Sequence, residues 1–359
     1  MRIVERLAAG CACLPEEWQQ LEAWDLQDQR WAIAFNIGPE NVGEVVQERA
    51  KLLQAIYPLF DQFCQTHFKT SSVNLPGILW RFWLPLAIQL VKRRQAQAQP
   101  LIQGILGGQG TGKTTLGVAL TLILQHLGYQ TLSLSLDDLY KTYGDRLRLQ
   151  AQDPRLIWRG PPGTHDIALG LEILDQLRSA APGQPIAIPR FDKSRHQGSG
   201  DRADSELVSN VEIVLFEGWF VGVRPVDPAL FDQAPPPITT AADRAFARDI
   251  NRQLQAYLPL WERLDSLMVL YPKDYRWSKE WRKQAEQEMR SRGKTGMDDR
   301  DIDAFVDYFW KALHPDLFIN PLVERSGGAD LVVEIDANHA PGAIYRGGAG
   351  GNGKEGTPT

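Results

Sequence analysis

The sequence predicts an α/β fold, a mostly parallel sheet flanked by helices, with an N-terminal helical extension. Three observations predict it. Short apolar runs alternate with helical stretches from about residue 101 onward, a glycine-rich loop joins the first run to the helix after it, and residues 1–98 carry helical spacing with no strand-like run. At 359 residues, 43% of them hydrophobic, the chain has enough apolar material for a large core. The expected organisation is a helical extension at 1–98, an α/β domain at 99–340 and a disordered tail at 341–359.

In the extension, "VGEVVQERAKLLQAIYPLFDQFC" places apolar residues at helical spacing. Trp80, Phe82 and Trp83 are expected to pack into a core, and the segment that holds them, "LPGILWRFWLPLAIQLV", carries Arg81 and is too short to span a bilayer. The apolar runs that follow are "LIQGILG" (101–107), "TLSLSL" (131–136), "VEIVLFE" (211–217), "SLMVLYP" (266–272) and "DLVVEI" (330–335). Parallel strands read this way because helices cover both faces of their sheet. The proline-rich "RPVDPALFDQAPPPITTAADRAF" (224–246) is expected to be a surface loop. "DYRWSKEWRKQAEQEMRSRGKTGM" (274–297) reads as a basic amphipathic helix with Trp277 and Trp281 one turn apart on its buried face. "RGGAGGNGKEGTPT" (346–359) is too polar and glycine-rich to bury anything.

A net charge of -5 gives no global pull toward nucleic acid or an anionic membrane, so the expected partner is a small molecule held by local cations. Cys11, Cys13 and Cys64 are too few for a disulfide framework, and Cys11-x-Cys13 is not a zinc spacing. The opening "MRIVERLAAGCACLPEEW" is unlike a signal or transit peptide. A soluble, cytoplasmic protein is expected.

Gly107-x4-Gly112-Lys113-Thr114 satisfies the phosphate-loop pattern between an apolar strand and a helix that runs to about His126. Gly107, Gly108, Gln109, Gly110, Thr111, Gly112, Lys113, Thr114 and Thr115 are therefore the predicted ATP-binding residues, and the fold is expected to be of the P-loop NTPase type. Backbone N–H groups and the helix N-terminus attract the phosphates, Lys113 reaches the β- and γ-phosphates, and the Thr114 hydroxyl is placed for Mg²⁺.

The acceptor of the phosphate is sought at the carboxyl edge of the sheet, where open α/β sheets bind ligands. Asp137 and Asp138 follow the second apolar run; a carboxylate there can take the proton of an attacking hydroxyl, or cap a turn. Glu217 ends the third run, where an acid can hold Mg²⁺ directly or through water. The loops "WRGPPGTHD" (158–166) and "IPRFDKSRHQGSGDRAD" (188–204) carry Arg159, His165, Arg190, Lys193 and Arg202, cations suited to a small carboxylate or phosphate unless they form a solvated face. In the basic helix, Arg276, Arg282 and Arg290 are in place to reach over the phosphates, and Arg282 is the residue chosen for that role.

The phosphate loop, "DDLY", "RGPPGTHD", "PRFDKSRHQGSGDRAD", "LFEGWFVG", "EWRKQAEQEMR" with Gly296-Met297, and "VVEID" together resemble, in order, the D-glycerate 3-kinases of plants and cyanobacteria, within the phosphoribulokinase and uridine kinase class of P-loop kinases. The resemblance covers roughly residues 100–337. It implies that Asp137 is the catalytic base, that Lys113 and Arg282 act on the transferring phosphoryl, and that Thr114 and Glu217 hold Mg²⁺. Asp138, Tyr140, Arg159, His165, Asp166, Arg190, Lys193 and Arg202 become candidate ligands of D-glycerate. The implied reaction is ATP-dependent phosphorylation of the 3-hydroxyl, which in a photosynthetic cell returns photorespiratory glycerate to carbon fixation. Two alternatives remain: a kinase of the same class acting on pantothenate or a nucleoside, and a nucleotide-binding switch, although the Asn-Lys-x-Asp base-reading motif of a G-protein is absent.

Overall fold

A computed structural model describes residues 2–67, 75–291 and 297–349. Its strands are β1 (Leu101–Gly107), β2 (Thr131–Ser135), β3 (Ile186–Ile188), β4 (Phe191–Asp192), β5 (Asp201–Arg202), β6 (Glu206–Val208), β7 (Ile213–Gly218), β8 (Ser266–Pro272), β9 (Leu331–Ile335) and β10 (Pro341–Tyr345). The helices of the first third are α1 (Arg2–Ala8), α2 (Pro15–Gln27), α3 (Gln29–Ala34), α4 (Val42–His67), α5 (Leu75–Ile78) and α6 (Leu84–Gln95). Beyond β1 come α7 (Lys113–His126), α8 (Tyr143–Gln152), α9 (Ile167–Ser179), α10 (Ala241–Gln253), α11 (Leu258–Trp261), α12 (Trp277–Ser291), α13 (Asp299–Ala312), α14 (Pro315–Phe318) and α15 (Asn320–Glu324).

The central sheet has the order β10-β9-β8-β1-β7-β2, parallel except for β10 at its edge. Alternation along β1 divides the core: Leu101 and Ile105 join a cluster on one side of the sheet, Ile102 and Leu106 a cluster on the other. The first cluster gathers α1 to α7 and Trp281 of α12; the second gathers α9, α10, α13 and their neighbours. The helical first third is thus one of the two layers that cover the sheet. A parallel sheet needs such a cover, since both of its faces are apolar.

Local chemistry explains how that layer holds. Pro85 has no N–H to give Arg81 one turn earlier, and the helix runs through a π-helical turn at Leu79–Trp83. The indole of Trp31 donates instead to the Arg81 carbonyl at 2.7 Å. Arg49 is fully buried, 4.0 Å from the Trp80 ring, and its charge is met by Asp25. Fully burying each large apolar side chain here contributes roughly 1.5–3 kcal/mol, so the layer is a substantial part of the stability.

Two expectations need correction. The proline-rich segment is anchored rather than loose: Phe231, in a 3₁₀ turn at Pro228–Gln233, is fully buried, and Thr240 with Asp243 forms a capping box that starts α10 at Ala241. Nor are residues 341–345 disordered, because Pro341–Tyr345 pairs antiparallel with β9 and buries Ile344 and Tyr345. Residues 350–359 lie outside the described residues.

Candidate active site

Parallel register brings three strand ends to one edge. Ile105 of β1 and Ser135 of β2 both stand beside Glu217 of β7, so the loop after β1, the turn after β2 and the end of β7 open into the same cleft. The cleft encloses about 890 Å³ and is lined in part by Gln109, Lys113, Thr114, Asp137, Glu217 and Arg282.

The loop after β1 needs its glycines. Gly110 and Gly112 have φ of 79° and 86°, the left-handed region that L side chains avoid. A Cβ on Gly107 would stand 2.5 Å from the Thr111 hydroxyl oxygen. The loop closes on itself through the Gly108 carbonyl, which accepts from Lys113 Nζ and from the Thr111 hydroxyl, each at 2.9 Å. Burial pushes the Lys113 pKa down, against the pull of Glu217 and Asp137.

The two aspartates after β2 divide their work. Asp138 completes a capping box by accepting from the Ser135 N–H at 3.0 Å, and it also takes Arg190 Nη1 at 2.9 Å and the Phe191 N–H at 3.2 Å. Its carboxylate is spent on the turn and on the β4 hairpin. Asp137 faces the cleft, 2.7 Å from Lys193 Nζ, with the Tyr140 hydroxyl donating to it. Burial works to raise its pKa, but Lys193 and Tyr140 outweigh that and hold the carboxyl below its usual range.

Of the predicted acceptor ligands, Tyr140, Arg159 and Lys193 line the cleft. Asp138, His165, Asp166, Arg190 and Arg202 are not among the residues that line it, and their polar groups engage other side chains and the backbone. His165 is 1% exposed, stacked on Tyr140 at 4.6 Å, with Nδ1 2.8 Å from the Tyr257 hydroxyl. Burial lowers its pKa to about 3, so it is neutral near pH 7. Asp166 caps α9 through the Leu169 N–H and pairs with Arg202 at 2.7 Å, while Arg202 Nε donates to the Tyr140 carbonyl at 3.1 Å. Arg190 also pairs with Glu206 at 2.6 Å. These charges hold Tyr140 and the hairpin in place.

On α12, Arg282 faces the cleft, 5.3 Å from the Phe305 ring centroid. Arg276 pairs with Asp274 beside a separate cavity of about 330 Å³, and Arg290 lies 3.5 Å from Asp299. Arg282 alone among the three lines the cleft. Gly296 lies outside the described residues, whereas Met297 lines the cleft mouth.

Sequence reasoning missed several contributors. The 1% exposed Glu286 pairs with Arg282 and accepts from the Met297 N–H at 3.1 Å. Arg146 donates to the carbonyls of Lys141, Ser199 and Gly200, clamping the acceptor hairpin to α8. His339 Nδ1 lies 2.7 Å from the Gly110 carbonyl, and its ring packs 4.7 Å from that of Trp281. His339 acts on Gly110 and Arg146 on Ser199 and Gly200, partners far away in the chain, while Glu286 reads in the sequence as one more i, i+4 pair of a surface helix.

Among the described residues no group of three His, Cys, Asp or Glu gathers as a metal cage. The donor set in the cleft, the Thr114 hydroxyl with the Glu217 carboxylate, fits Mg²⁺, which keeps several waters and completes its shell with phosphate oxygens. Cys11 and Cys13 are free thiols, the side chain of Cys64 lies outside the described residues, and no described helix is long and apolar enough to cross a membrane.

No protein-family model matches the chain. The chloroplastic D-glycerate 3-kinase of Arabidopsis thaliana is 33% identical over 258 residues, covering 67% of this chain and 54% of the plant protein. The chain therefore spans about half the length of that relative. A Saccharomyces cerevisiae protein named a probable ATP-dependent kinase is 32% identical over 261 residues, 67% of this chain and 86% of its own. A solved D-glycerate 3-kinase from Cryptococcus neoformans superposes with a TM-score of 0.64 at 26% identity, covering 72% of this chain and 96% of that one. On these likenesses the chain belongs to the same family of P-loop kinases as these proteins.

Proposed function

We propose that the protein transfers the γ-phosphate of ATP to the 3-hydroxyl of D-glycerate, giving 3-phosphoglycerate and ADP. The observation that carries this reading is the convergence in one cleft of the phosphate loop, an Asp137 carboxylate and a rim of cations, Arg159, Lys193 and Arg282. A small anionic alcohol suits that rim better than a nucleoside does.

The residues divide the reaction as follows. The loop amides and Lys113, which leaves the Gly108 carbonyl to do so, bind the phosphates. Thr114 and Glu217 would hold Mg²⁺, which when bound neutralises charge on the phosphate oxygens. Asp137 accepts the proton of the acceptor hydroxyl, and Arg282 faces the charge that spreads over the transferring phosphoryl. Arg159 and Lys193 take the acceptor carboxylate. The free thiols of Cys11 and Cys13 suit a reducing compartment such as the cytoplasm, and in a photosynthetic cell the product would re-enter carbon fixation.

A second reading, a larger acceptor for the same chemistry, is favoured by the volume of the cleft and by two half-exposed apolar side chains on its wall, Leu147 and Ile157. A panel of D-glycerate, L-glycerate, glycerol, pantothenate and uridine with Mg·ATP tests both. Turnover confined to D-glycerate supports the first reading. A preference for pantothenate or uridine overturns it.

A further inference from the structure

Asp137 is covered in the structure. Its Oδ2 lies 2.7 Å from Lys193 Nζ, and the Tyr140 hydroxyl donates to the same carboxylate. The ammonium occupies one face of that oxygen and makes the carboxylate a weaker base, so withdrawal of Lys193 both opens and strengthens the base.

The covering group is built to move while its anchor is not. Lys193 follows β4, whose Phe191 N–H is bound to Asp138, the neighbour of Asp137, so the hairpin and the base share one frame. After it, Asp192 accepts from the Ser194 N–H at 2.8 Å and from the Ser194 hydroxyl at 2.6 Å, and Arg195 donates to the Arg202 carbonyl at 2.6 Å. The Lys193 side chain itself is 63% exposed. Swinging the ammonium away requires only rotation of a flexible four-carbon stem. With the ammonium mostly in solvent and the carboxylate facing the open cleft, another anion brought within similar distance can exchange for Asp137.

We propose that Lys193 reads the negative charge of the acceptor: with no anionic acceptor its ammonium covers Asp137, and the acceptor's own carboxylate draws it off and uncovers the base. The proposal rests on Asp137 being the base of the kinase reaction proposed above. A hydroxy acid supplies the replacement anion a few bonds from its reacting hydroxyl. Glycerol and water do not, so they meet a covered base, and the device both selects anionic alcohols and suppresses wasteful hydrolysis of ATP.

The test is Lys193→Met, which keeps the stem and removes the charge, assayed with Mg·ATP and D-glycerate, with glycerol, and with no acceptor. The kcat/KM for D-glycerate is expected to fall on the order of 10- to 100-fold, the worth of a hydrogen bond between charged groups. Acceptor-free ATP hydrolysis is expected to rise above wild type, and the rise is expected to vanish in Lys193→Met/Asp137→Asn. Lys193→Arg should restore low hydrolysis. If hydrolysis stays at or below the wild-type rate while D-glycerate and glycerol turnover fall together, Lys193 is a general electrostatic contributor and the proposal is wrong. Should wild type prefer a different acceptor, the substrate reading falls, yet the acceptor-free arm still decides whether Lys193 covers Asp137.

Discussion

The buried carboxylate of Glu286 holds the guanidinium of Arg282 one helical turn away, and also accepts the Met297 N–H at 3.1 Å. Arg282 is therefore fixed on the cleft wall by a residue that never reaches the cleft. Arg282→Ala is expected to lower kcat by about 10³-fold, the scale of an arginine that stabilises phosphoryl transfer, with a thermal midpoint near wild type. Glu286→Gln should cost kcat far less, and nothing further in the Arg282→Ala background. A steady-state double-mutant cycle measures both, and fully additive losses would separate Glu286 from Arg282.

Trp281 packs against the phosphate loop so closely that a Cβ on Gly110 would stand 2.8 Å from it. Gly110→Ala adds left-handed strain of about 1–2 kcal/mol to that contact. Weaker ATP binding, followed by tryptophan fluorescence, and a lowered thermal midpoint are expected together. Unchanged ATP affinity would mean that the loop tolerates the displacement.

Much of this arrangement was legible in the sequence because it depends on local patterns. Buried parallel strands are largely continuous apolar runs, as β1, β7, β8 and β9 are, while β2 at the sheet edge alternates Leu with Thr and Ser. The phosphate loop has fixed spacing, and Asp137 and Glu217 stand at strand ends where ligands gather. The hairpin charges were less legible. Asp138, Asp166, Arg190 and Arg202 have the residue types of a binding site but spend them on one another and on backbone groups, through partners 16 to 53 residues away in the bonds to Glu206, Arg202 and Phe191. Residue type shows a charge; only the fold shows what it meets.

His165 makes the protein acid-sensitive in a defined window. Its folded pKa, about 3, lies below the unfolded value of 6.5, so below pH 6.5 the unfolded chain takes up a proton that the folded one refuses. Stability falls as pH drops from 6.5 toward 3, by up to about 1.4 kcal/mol per pH unit from this group. Urea melts between pH 7 and 4 should show that slope, reduced in His165→Asn. An equal slope in the variant would assign the sensitivity to other groups.

In the N-terminal layer, Asp25 neutralises the fully buried Arg49. Asp25→Leu leaves that guanidinium without its carboxylate and should destabilise by about 3–5 kcal/mol, while Asp25→Leu/Arg49→Met should recover most of the loss. Chemical denaturation of the two variants tests this. A double variant no more stable than the single one would show that the pair is not the cause.

The central claim is that Asp137 deprotonates the 3-hydroxyl of a small hydroxy acid beside a bound nucleoside triphosphate. The most direct measurement is ADP release with Mg·ATP and D-glycerate, with the product identified by phosphorus NMR, for wild type and Asp137→Asn. The account predicts 3-phosphoglycerate from wild type and a loss in kcat of about 10²- to 10⁴-fold in the variant, with ATP binding retained. Wild-type turnover that survives intact in Asp137→Asn would contradict it.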